Sequence, residues 1–368
     1  MNTPLYREDL CQFFPSCGGC ALQGLNEHAY SQIKLNEIQS QLAQHQIVER
    51  LEPIFLCAPY TRRRVVLAAI RERGKIILGF HRYKSHEVIA IENCAIAVKQ
   101  ITQNFPLLYS LAETILTRPI TACRLDVLAT AAGLSITILD IKQCDETLRR
   151  RLIELALSYD VARLSFNKEI ILEQRKPQLL FSGVPVTIPP GAFVQATQES
   201  EAYMTALACE GLKGVKSIAD LFCGLGTFTF PLSVKACVHA VEQEESALNA
   251  LEQAYRNYGQ NLKAITTQRR DLFERPLKSE DLKKYDGVIF DPPRAGAARQ
   301  AQELAKSCVS HIVAVSCNAK TFARDLSILV KGGYQITKIF PIDQFLWSTS
   351  CEIMAFLHKK TNKKKFSL

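Results

Sequence analysis

Residues 217–228 read Ser-Ile-Ala-Asp-Leu-Phe-Cys-Gly-Leu-Gly-Thr-Phe, a short apolar run that ends in a glycine-rich turn. The run predicts a buried strand. Gly224 and Gly226 permit a tight turn in which a ligand can approach the backbone before a helix begins. A strand, a glycine turn and a helix in this order are typical of the ligand-binding edge of a doubly wound α/β sheet.

Three further apolar runs repeat the pattern after the glycine turn. Stretches with helical spacing separate them, and strands that alternate with helices predict a parallel sheet covered on both faces. We therefore predict an α/β fold with a Rossmann-like domain over residues 191–368. The three runs are Cys237-Val-His-Ala-Val-Glu242, Asp286-Gly-Val-Ile-Phe-Asp291 and His311-Ile-Val-Ala-Val-Ser316.

The first half of the chain has a different pattern. From Pro53 to about Pro190 the sequence contains short alternating or β-branched runs with two helical stretches between them. This predicts a mixed α+β domain with a mostly antiparallel sheet over residues 1–190, and a boundary near Ile188-Pro-Pro-Gly191. Residues 23–52 contain apolar side chains at helical spacing, and we expect this helix to pack on the C-terminal domain.

Composition limits the class of protein. The chain has 368 residues, of which 47% are hydrophobic and 22% charged, as in ordinary globular proteins. No apolar run approaches the roughly 20 residues that span a bilayer, and the N-terminus lacks the apolar core of a signal peptide. We expect a cytoplasmic monomer with no membrane association. The net charge of +9 favours a polyanionic partner.

Two carboxylates fall where a nucleoside ligand needs them. Glu242 ends the strand that follows Gly226, where it can accept hydrogen bonds from ribose hydroxyls. A third glycine that would complete Gly-x-Gly-x-x-Gly is missing, which favours a ligand without phosphates, such as S-adenosylmethionine. Asp271 lies at the next expected strand end and can bind the adenine amino group, although a helix N-cap is the alternative.

Cys317 lies at the end of the last of these apolar runs and begins a polar turn into a helix. This position presents its sulfur at the carboxyl end of a strand, where α/β enzymes build their sites. We expect helix amides or a nearby cation to lower the pKa of Cys317 toward neutrality, because the thiolate is the nucleophile. The alternative is a buried structural cysteine.

Thirteen cysteines in a chain of this kind predict reduced thiols, some of which bind metal or do chemistry. Cys11, Cys17 and Cys20 form Cys-x5-Cys-x2-Cys, a spacing suited to a shared metal centre. Cys94 is the best candidate for a fourth ligand, and zinc bound with His28 is the alternative. Six others have no ligand spacing and are predicted core thiols: Cys57, Cys123, Cys144, Cys209, Cys237 and Cys308.

Five motifs together resemble the RNA uracil-5 methyltransferase family, from the first cysteine to the last predicted strand. They are Gly191-Ala-Phe-Val-Gln195, Asp220-Leu-Phe-Cys-Gly-Leu-Gly226, Asp291-Pro-Pro-Arg294, Ser316-Cys-Asn318 and Glu352. The resemblance implies a nucleophile at Cys317 and a base at Glu352. It assigns S-adenosylmethionine contacts to Gln195, Phe222, Thr227, Glu242, Asp271 and Asp291, and a [4Fe-4S] cluster to Cys11, Cys17, Cys20 and Cys94.

The chemistry explains these residue types. Uracil C5 attacks a sulfonium methyl only after a thiolate has added to C6, and the C5 proton must then leave for the thiolate to be released. Glu352 would take that proton, and we expect burial to raise its pKa; a surface glutamate at a strand start is the alternative. Arg294 can pair with a site carboxylate or a uracil carbonyl, or form a structural ion pair.

The chain departs from the family pattern at two positions. The family usually has proline where this chain has Ala319, and histidine where it has Ser350. Cys351, next to Glu352, is predicted to face the core.

RNA is the expected partner, with the target uridine flipped into the site. Cations and aromatic residues are mixed at Tyr60-Thr-Arg-Arg-Arg64 and Gly79-Phe-His-Arg-Tyr-Lys84, as RNA binding requires, although a solvated basic face is the alternative. In the family that the chain resembles, longer members carry an RNA-binding β-barrel (TRAM domain), for which there is no room before Cys11, and a short rRNA type has the cysteine cluster. The resemblance therefore favours 23S rRNA over tRNA.

Other functions remain open on the sequence. An amino-group methyltransferase has a motif like Asp-Pro-Pro-Arg294 but with an aromatic residue in the last position. A non-catalytic RNA-binding protein is the third alternative. The basic tail at residues 359–365 is expected to be solvated.

Overall fold

The computed structural model describes residues 11–117 and 120–359. Its ten helices within those ranges are α1 (Glu27–Gln44), α2 (Lys99–Thr102), α3 (Phe105–Ile115), α4 (Glu146–Ser158), α5 (Gln198–Gly211), α6 (Thr229–Ser233), α7 (Glu245–Tyr258), α8 (Ser279–Leu282), α9 (Ala298–Lys306) and α10 (Ala319–Lys331).

The strands of the N-terminal half are β1 (Phe55–Leu56), β2 (Arg64–Glu72), β3 (Lys75–His81), β4 (Val88–Ala90), β5 (Ala122–Thr130), β6 (Gly133–Leu139), β7 (Arg163–Phe166), β8 (Glu169–Glu173), β9 (Gln178–Phe181) and β10 (Val184–Thr187). Those of the C-terminal half are β11 (Ser217–Leu221), β12 (Cys237–Glu242), β13 (Ile265–Arg269), β14 (Gly287–Phe290), β15 (His311–Ser316), β16 (Gln335–Asp343) and β17 (Glu352–His358).

The C-terminal half forms the predicted doubly wound sheet. Its strand order is β1-β16-β17-β15-β14-β11-β12-β13. The strands from β13 to β15 are parallel, and β17 runs antiparallel between β15 and β16. Each strand candidate quoted above is a strand here, which confirms the α/β prediction. Buried parallel strands of this kind are continuous apolar runs, so the sequence signal is strong.

The N-terminal half forms a seven-stranded sheet in the order β4-β3-β2-β5-β6-β7-β8. All neighbours in it are antiparallel except β6 and β7. Helices α3 and α4 cover one face, and residues such as Leu67, Leu108 and Leu125 form a core from which water is excluded. The mixed, mostly antiparallel sheet that the sequence predicts is therefore confirmed.

Two segments from the first half pack on the C-terminal sheet. Ile38 and Leu42 of α1 belong to the same core as Phe322 and Leu326 of α10, and β1 pairs in parallel with β16. The packing of α1 matches the expectation for residues 23–52. The β9–β10 hairpin also contributes to a core with Leu251 of α7, a contact that the boundary near residue 190 did not anticipate.

Within the described ranges, every helix is too short or too polar to cross a membrane.

Candidate active site

One edge of the C-terminal sheet gathers most of the predicted site residues. Asp291 and Cys317 directly follow the parallel strands β14 and β15. Glu352 begins β17, which is antiparallel, so it lies at the same edge. Ser316 pairs with Ile353 across β15 and β17, and Cys317 and Glu352 therefore face each other one residue beyond that pair.

The backbone after Cys317 is fixed by a helix cap. Asn318 is the N-cap of α10, and its side-chain oxygen accepts a hydrogen bond from the Lys320 amide at 3.1 Å. Its side-chain nitrogen donates to the Arg294 carbonyl at 3.1 Å. Helix α10 begins at Ala319, in the position where proline is usual in the family. Alanine therefore keeps the helix start, and the cap holds the half-buried Cys317 at the strand end.

The electrostatic surroundings of Cys317 contradict the sequence-based expectation. Burial first, and then the carboxyl groups of Glu352 and Asp291, raise the pKa of Cys317 to about 11. Arg294 and the Cys317 amide lower it, but by less. The prediction of a pKa near neutrality was wrong because it considered the helix start and the cation but not burial and the two carboxyls. These surroundings favour the neutral thiol of Cys317 in the free protein.

Glu352 is buried, with 3% of its surface exposed, so the surface alternative was wrong. Its Oε2 accepts a hydrogen bond from Gln344 Nε2 at 2.7 Å. Its Oε1 is buried and has no hydrogen-bond partner among the described residues. Burial and the charge of Asp291 raise the pKa of Glu352 to about 8, which confirms the expected direction.

Gln344 is a site residue that sequence reasoning missed. It follows β16 and is 2% exposed. Its Nε2 donates to Glu352 and also to Gln195 Oε1 at 2.9 Å, while its Oε1 accepts from the Ala196 amide at 2.9 Å. Glu352 thus keeps a polar neighbour although Ser350 replaces the usual histidine. No local sequence signal pointed to Gln344, because these contacts join segments that are distant along the chain.

Gln195 links this end of the site to Asp291. It is 2% exposed, and its Nε2 donates to Asp291 Oδ2 at 3.2 Å. Arg63 Nε donates to the Gln195 carbonyl at 3.0 Å, so the N-terminal half also holds this segment. Burial raises the pKa of Asp291 to about 7, although the hydrogen bond from Gln195 opposes the shift.

The glycine turn is as tight as the sequence predicts. Phe222 and Gly226 both have positive φ angles, of 61° and 90°. A Cβ atom at Gly226 would lie 2.9 Å from the Phe230 ring and 3.0 Å from Leu251, so only glycine fits. Thr227, half-buried, follows in the same turn before α6.

Glu242 closes the turn from the next strand. Its Oε2 accepts a hydrogen bond from the Gly224 backbone amide at 2.9 Å. Its Oε1 accepts hydrogen bonds from the backbone amides of Gln243 and Glu244, at 2.7 and 2.9 Å. These bonds fix the carboxylate at the end of β12, beside the glycine turn.

Asp220 is a second residue whose importance the sequence left unassigned. It is fully buried, and Thr229 Oγ1 donates to its Oδ2 at 2.6 Å. Its Oδ1 has no partner within the described ranges. Burial, and then Asp291 and Glu242, raise the pKa of Asp220 to about 7. Two neighbouring carboxyl groups therefore act on the buried Asp220 at this edge of the sheet.

Asp271 has the geometry of a turn cap. Its Oδ1 accepts the amides of Phe273 and Glu274 at 2.9 and 3.2 Å, and residues 272–274 form a turn rather than a helix. Asp271 therefore caps a turn, whereas the alternative considered from the sequence was the N-cap of a helix. The Phe273 ring lies 5.4 Å from the Phe222 ring, which brings this turn to the glycine turn.

Among the residues that the structure describes, Arg294 contacts Ser350 rather than an acidic side chain. Its Nη2 donates to Ser350 Oγ at 3.1 Å. The serine that replaces the family's histidine thus holds the guanidinium close to Cys317. Arg294, Cys317 and Ser350 line a cavity of 540 Å³, which Gln344 and the exposed ring of Phe193 also border.

Helix α1 anchors the loop between β16 and β17. Lys34, whose side chain is fully buried, pairs with Asp343, which also accepts a hydrogen bond from Tyr30. Lys34 Nζ also donates to the carbonyls of Phe345 and Ser350, at 3.2 and 2.9 Å. The loop that carries Gln344 and leads to Glu352 is therefore fixed by a buried ion pair. Cys351 in this loop is buried, as predicted.

The four N-terminal candidate ligands line the same 540 Å³ cavity as Cys317. Burial, and then repulsion from Cys94, Cys17 and Cys11, raises the pKa of Cys20, so the four thiols are neighbours. Even so, no three His, Cys, Asp or Glu side chains in residues 11–117 and 120–359 converge closely enough to hold one metal ion. His28, the alternative zinc ligand, is exposed on α1 and does not line the cavity.

Gly18 explains how the cysteine segment is held. The Gly18 amide donates to the His81 carbonyl at 3.0 Å, and a Cβ atom at Gly18 would lie 2.6 Å from that oxygen. The segment therefore packs directly against the end of β3.

Three of the cysteines predicted to be core thiols are exposed instead. All three lie at the surface. Cys209 is near the end of α5, Cys237 begins β12, and Cys308 lies in the loop between α9 and β15. Element ends are exposed even where the neighbouring residues are apolar, which the sequence pattern did not resolve.

The basic segments are partly structural. Arg63 forms a buried ion pair with Glu201, and Arg64 makes two hydrogen bonds to Asp126, at 2.9 and 2.7 Å. Tyr83 and Lys84 are exposed. Their exposure is compatible with RNA binding, whereas Arg63 and Arg64 are occupied within the protein. The basic tail after Lys359 lies outside the described residues.

The fold and this edge together define a methyltransferase of the doubly wound α/β class. A solved structure with the same fold is the Pyrococcus abyssi tRNA (uracil-54, C5)-methyltransferase in complex with S-adenosyl-L-homocysteine. The TM-score is 0.70 at 21% identity, over 93% of this chain and 86% of that one.

The sequence model of the tRNA (uracil-5-)-methyltransferase family matches residues 32–360. An uncharacterised RNA methyltransferase of Mesorhizobium japonicum is 43% identical over 97% of this chain and 86% of its own length. The 23S rRNA (uracil(1939)-C(5))-methyltransferase RlmD of a Marinomonas species is 30% identical over 97% of this chain and 82% of its own length. The chain belongs to the family of S-adenosylmethionine-dependent RNA uracil-5 methyltransferases.

Proposed function

We propose that the protein methylates C5 of a uridine in 23S rRNA through a covalent bond between Cys317 and C6, with Glu352 as the base. The observation that carries this proposal is the meeting of Cys317 and Glu352 at one sheet edge. There, a thiol that borders a 540 Å³ cavity lies close enough to a buried carboxyl for the carboxyl to raise its pKa. A nucleophile and a base beside one cavity are what the C5 methylation chemistry requires.

Cys317 begins the reaction by adding to C6 of a uracil that has left its stack to enter the cavity. Burial and the two neighbouring carboxyls favour the neutral thiol, so the thiol first gives its proton to water in the cavity. The thiolate then forms the C6–S bond while the C5–C6 π pair moves to the C4 oxygen as an enolate. C5 of this enolate attacks the sulfonium methyl of S-adenosylmethionine, and the S–CH3 electron pair leaves with the sulfur of S-adenosylhomocysteine. Arg294, held by Ser350, supplies the cation that favours the thiolate and can bind a uracil carbonyl. Phe193, exposed beside the cavity, offers a ring on which a base can stack.

Glu352 completes the reaction after methyl transfer. Its carboxylate takes the C5 proton, the C5–H electron pair forms the C5–C6 double bond, and the C6–S bond breaks to return the thiolate of Cys317. A pKa of about 8 suits a base that must work near neutral pH.

The methyl donor binds beside the glycine turn in this proposal. S-adenosylmethionine supplies a methyl group on a positively charged sulfur and also carries an ammonium group. Asp291 and Glu242 both repel the buried carboxyl of Asp220 at this edge, so a cationic ligand beside them is favoured. We assign Gln195, Phe222, Thr227, Glu242, Asp271 and Asp291 to its binding.

We assign a [4Fe-4S] cluster, rather than zinc, to the N-terminal cysteines. Cys11, Cys17, Cys20 and Cys94 line one cavity, and Cys-x5-Cys-x2-Cys with a fourth, distant cysteine is the pattern that the family resemblance links to this cluster. A [4Fe-4S] cluster takes four thiolate ligands. It would tie residues 11–20 to residue 94 and form one wall of the uridine pocket.

The choice of 23S rRNA rests on one relative and on the family resemblance. The relative from Marinomonas is named for its action on 23S rRNA and matches nearly the whole chain, and the resemblance to a short rRNA type with an N-terminal cysteine cluster agrees with it.

The experiment is mass spectrometry of nucleosides from rRNA and tRNA of a strain that lacks the gene. Loss of one 5-methyluridine from 23S rRNA, restored by the wild-type gene but not by Cys317→Ala, is the expected result. Loss from tRNA alone would move the substrate to tRNA, and unchanged 5-methyluridine in both fractions would overturn the proposal.

A further inference from the structure

Gln344 has an orientation that its neighbours fix. Its Oε1 accepts a hydrogen bond from the Ala196 amide at 2.9 Å. A backbone amide can only donate, so the side-chain oxygen of Gln344 must face Ala196. The side-chain nitrogen must then face Glu352.

Both protons of that nitrogen are used within the protein. One is donated to Glu352 Oε2 at 2.7 Å and the other to Gln195 Oε1 at 2.9 Å. Gln195 in turn donates a hydrogen bond from its side-chain nitrogen to Asp291. A chain of hydrogen bonds therefore joins the carboxyl of Glu352, through Gln344 and Gln195, to the carboxyl of Asp291 beside the proposed methyl-donor site.

The two oxygens of Glu352 are consequently different. Oε2 is held by Gln344, whereas Oε1 is buried and has no partner in the described part of the chain. A buried carboxylate oxygen without a donor is costly unless a ligand supplies one. When Glu352 is a carboxylate, Oε1 is therefore the oxygen that is free to accept the C5 proton of the methylated adduct.

We propose that Gln344 is a positioning residue that holds Glu352 by Oε2 and leaves Oε1 to accept the C5 proton. This inference rests on the proposed function, in which Glu352 is the base. In this step the C5 proton goes to Oε1, the electron pair of the C5–H bond forms the C5–C6 double bond, and the electron pair of the C6–S bond returns to Cys317.

Gln344 also opposes the charges around Glu352. Two cations, Arg294 and Lys34, each donate a hydrogen bond to Ser350, two residues before this carboxyl. Asp291, after β14, acts on the carboxyl, and the carboxyl acts in turn on Cys317, after β15, and on Cys351. These last three groups become negative when they ionise. The hydrogen bond from Gln344 lowers the pKa of Glu352 against burial and Asp291. Removal of that donor therefore raises the pKa of Glu352, so a higher pH is needed to form the carboxylate that acts as the base.

The test measures two steps separately. Unmethylated total RNA from a strain that lacks the gene, labelled with tritium at C5 of uridine, reports methyl transfer from S-adenosylmethionine and tritium release to water in one turnover. In Gln344→Met we expect tritium release to slow by about 10- to 100-fold, as for a lost hydrogen bond to a charged group. Methyl transfer should slow less, so methylated adduct that keeps its tritium accumulates. The rate of tritium release should rise with pH as Glu352 ionises, near pH 8 in the wild type. This rising limb of the pH profile should move to higher pH in the variant.

Gln300→Met is the matched control. Gln300 is 1% exposed and makes two hydrogen bonds to Leu277, away from the site. The Gln300→Met variant also loses a buried side-chain amide, so it should be less stable than the wild type but show the wild-type pH profile of tritium release. A second variant, Gln344→Glu, retains the size of the side chain and an oxygen for the Ala196 amide, and it places another carboxyl against Glu352. It should move the limb upward as well, even if Gln344→Met folds poorly.

The outcomes separate this inference from the proposed function. If Glu352→Gln releases tritium at the wild-type rate, Glu352 is not the base, and both ideas are overturned. If Glu352→Gln stalls as a tritium-containing adduct while folded Gln344 variants keep the wild-type rate and pH limb, only the role of Gln344 is wrong. A purely structural role would lower the rates at every pH and leave the limb in place.

Discussion

Replacement of Lys34 by methionine tests how the active-site loop is held. Lys34 and Asp343 are both fully buried, and Lys34 also donates to two loop carbonyls. Methionine keeps much of the side-chain volume but leaves Asp343 without its cation. Removal of one partner from a buried pair costs about 3–5 kcal/mol of unfolding free energy. Tyr30 still donates to Asp343 in the variant, which favours the lower end of that range.

Urea unfolding followed by tryptophan fluorescence measures this effect directly. Trp347 is the only tryptophan in the sequence, is 1% exposed, and donates its amide to Tyr30 within the anchored loop. The control is Arg124→Met, which breaks the half-exposed ion pair with Asp140 and should cost about 0–1 kcal/mol. Lys34→Met with a loss no larger than that of the control would refute the reasoning. The double variant Lys34→Met/Asp343→Asn should lose less unfolding free energy than the sum of the losses in the two single variants.

Three further predictions concern the cofactor, the metal and pH. Glu242→Ala should weaken S-adenosylmethionine binding by about 1–3 kcal/mol in calorimetry, because the carboxylate is fixed beside the glycine turn; unchanged affinity would place the ligand elsewhere. Protein purified without oxygen should contain about four irons per chain and lose most of them in Cys94→Ser, and stoichiometric zinc without iron would contradict the cluster. The folded state raises the pKa of Glu352 from 4.5 to about 8, so its contribution to stability is full below pH 4.5 and is lost as the pH rises through 8. The unfolding midpoint of the wild type should therefore fall relative to that of Glu352→Gln over this range, and a constant difference would argue against a raised pKa.

The sequence predicted what depends on short stretches of chain. Strands β11, β14 and β15 are buried on both faces, so each is a continuous apolar run with a polar end. Because parallel strands share one edge, the residues after them, Asp291 and Cys317, could be assigned to one site from the order of the strands alone.

The remaining features depend on contacts between distant segments. Gln344 meets Gln195 and Glu352 only because β16 and β17 lie beside the segment that precedes α5. Nothing in the residues around Gln344 marks it as polar and buried. The pKa of Cys317 was predicted with the wrong sign for the same reason, since Glu352 and Asp291 approach it through space. Arg63 likewise has the sequence context of a cation that binds RNA, but its charge is paired with the buried Glu201.

The central claim is that Cys317 adds to the uracil ring, and trapping with RNA that contains 5-fluorouridine tests it most directly. Fluorine at C5 cannot be removed as a proton, so the methylated adduct cannot release the enzyme. The wild type should give a protein–RNA band that survives denaturation and carries the methyl label. Cys351→Ala, which removes the buried thiol next to Glu352, should give the same band, whereas Cys317→Ala should give none. An adduct formed by Cys317→Ala would contradict the account.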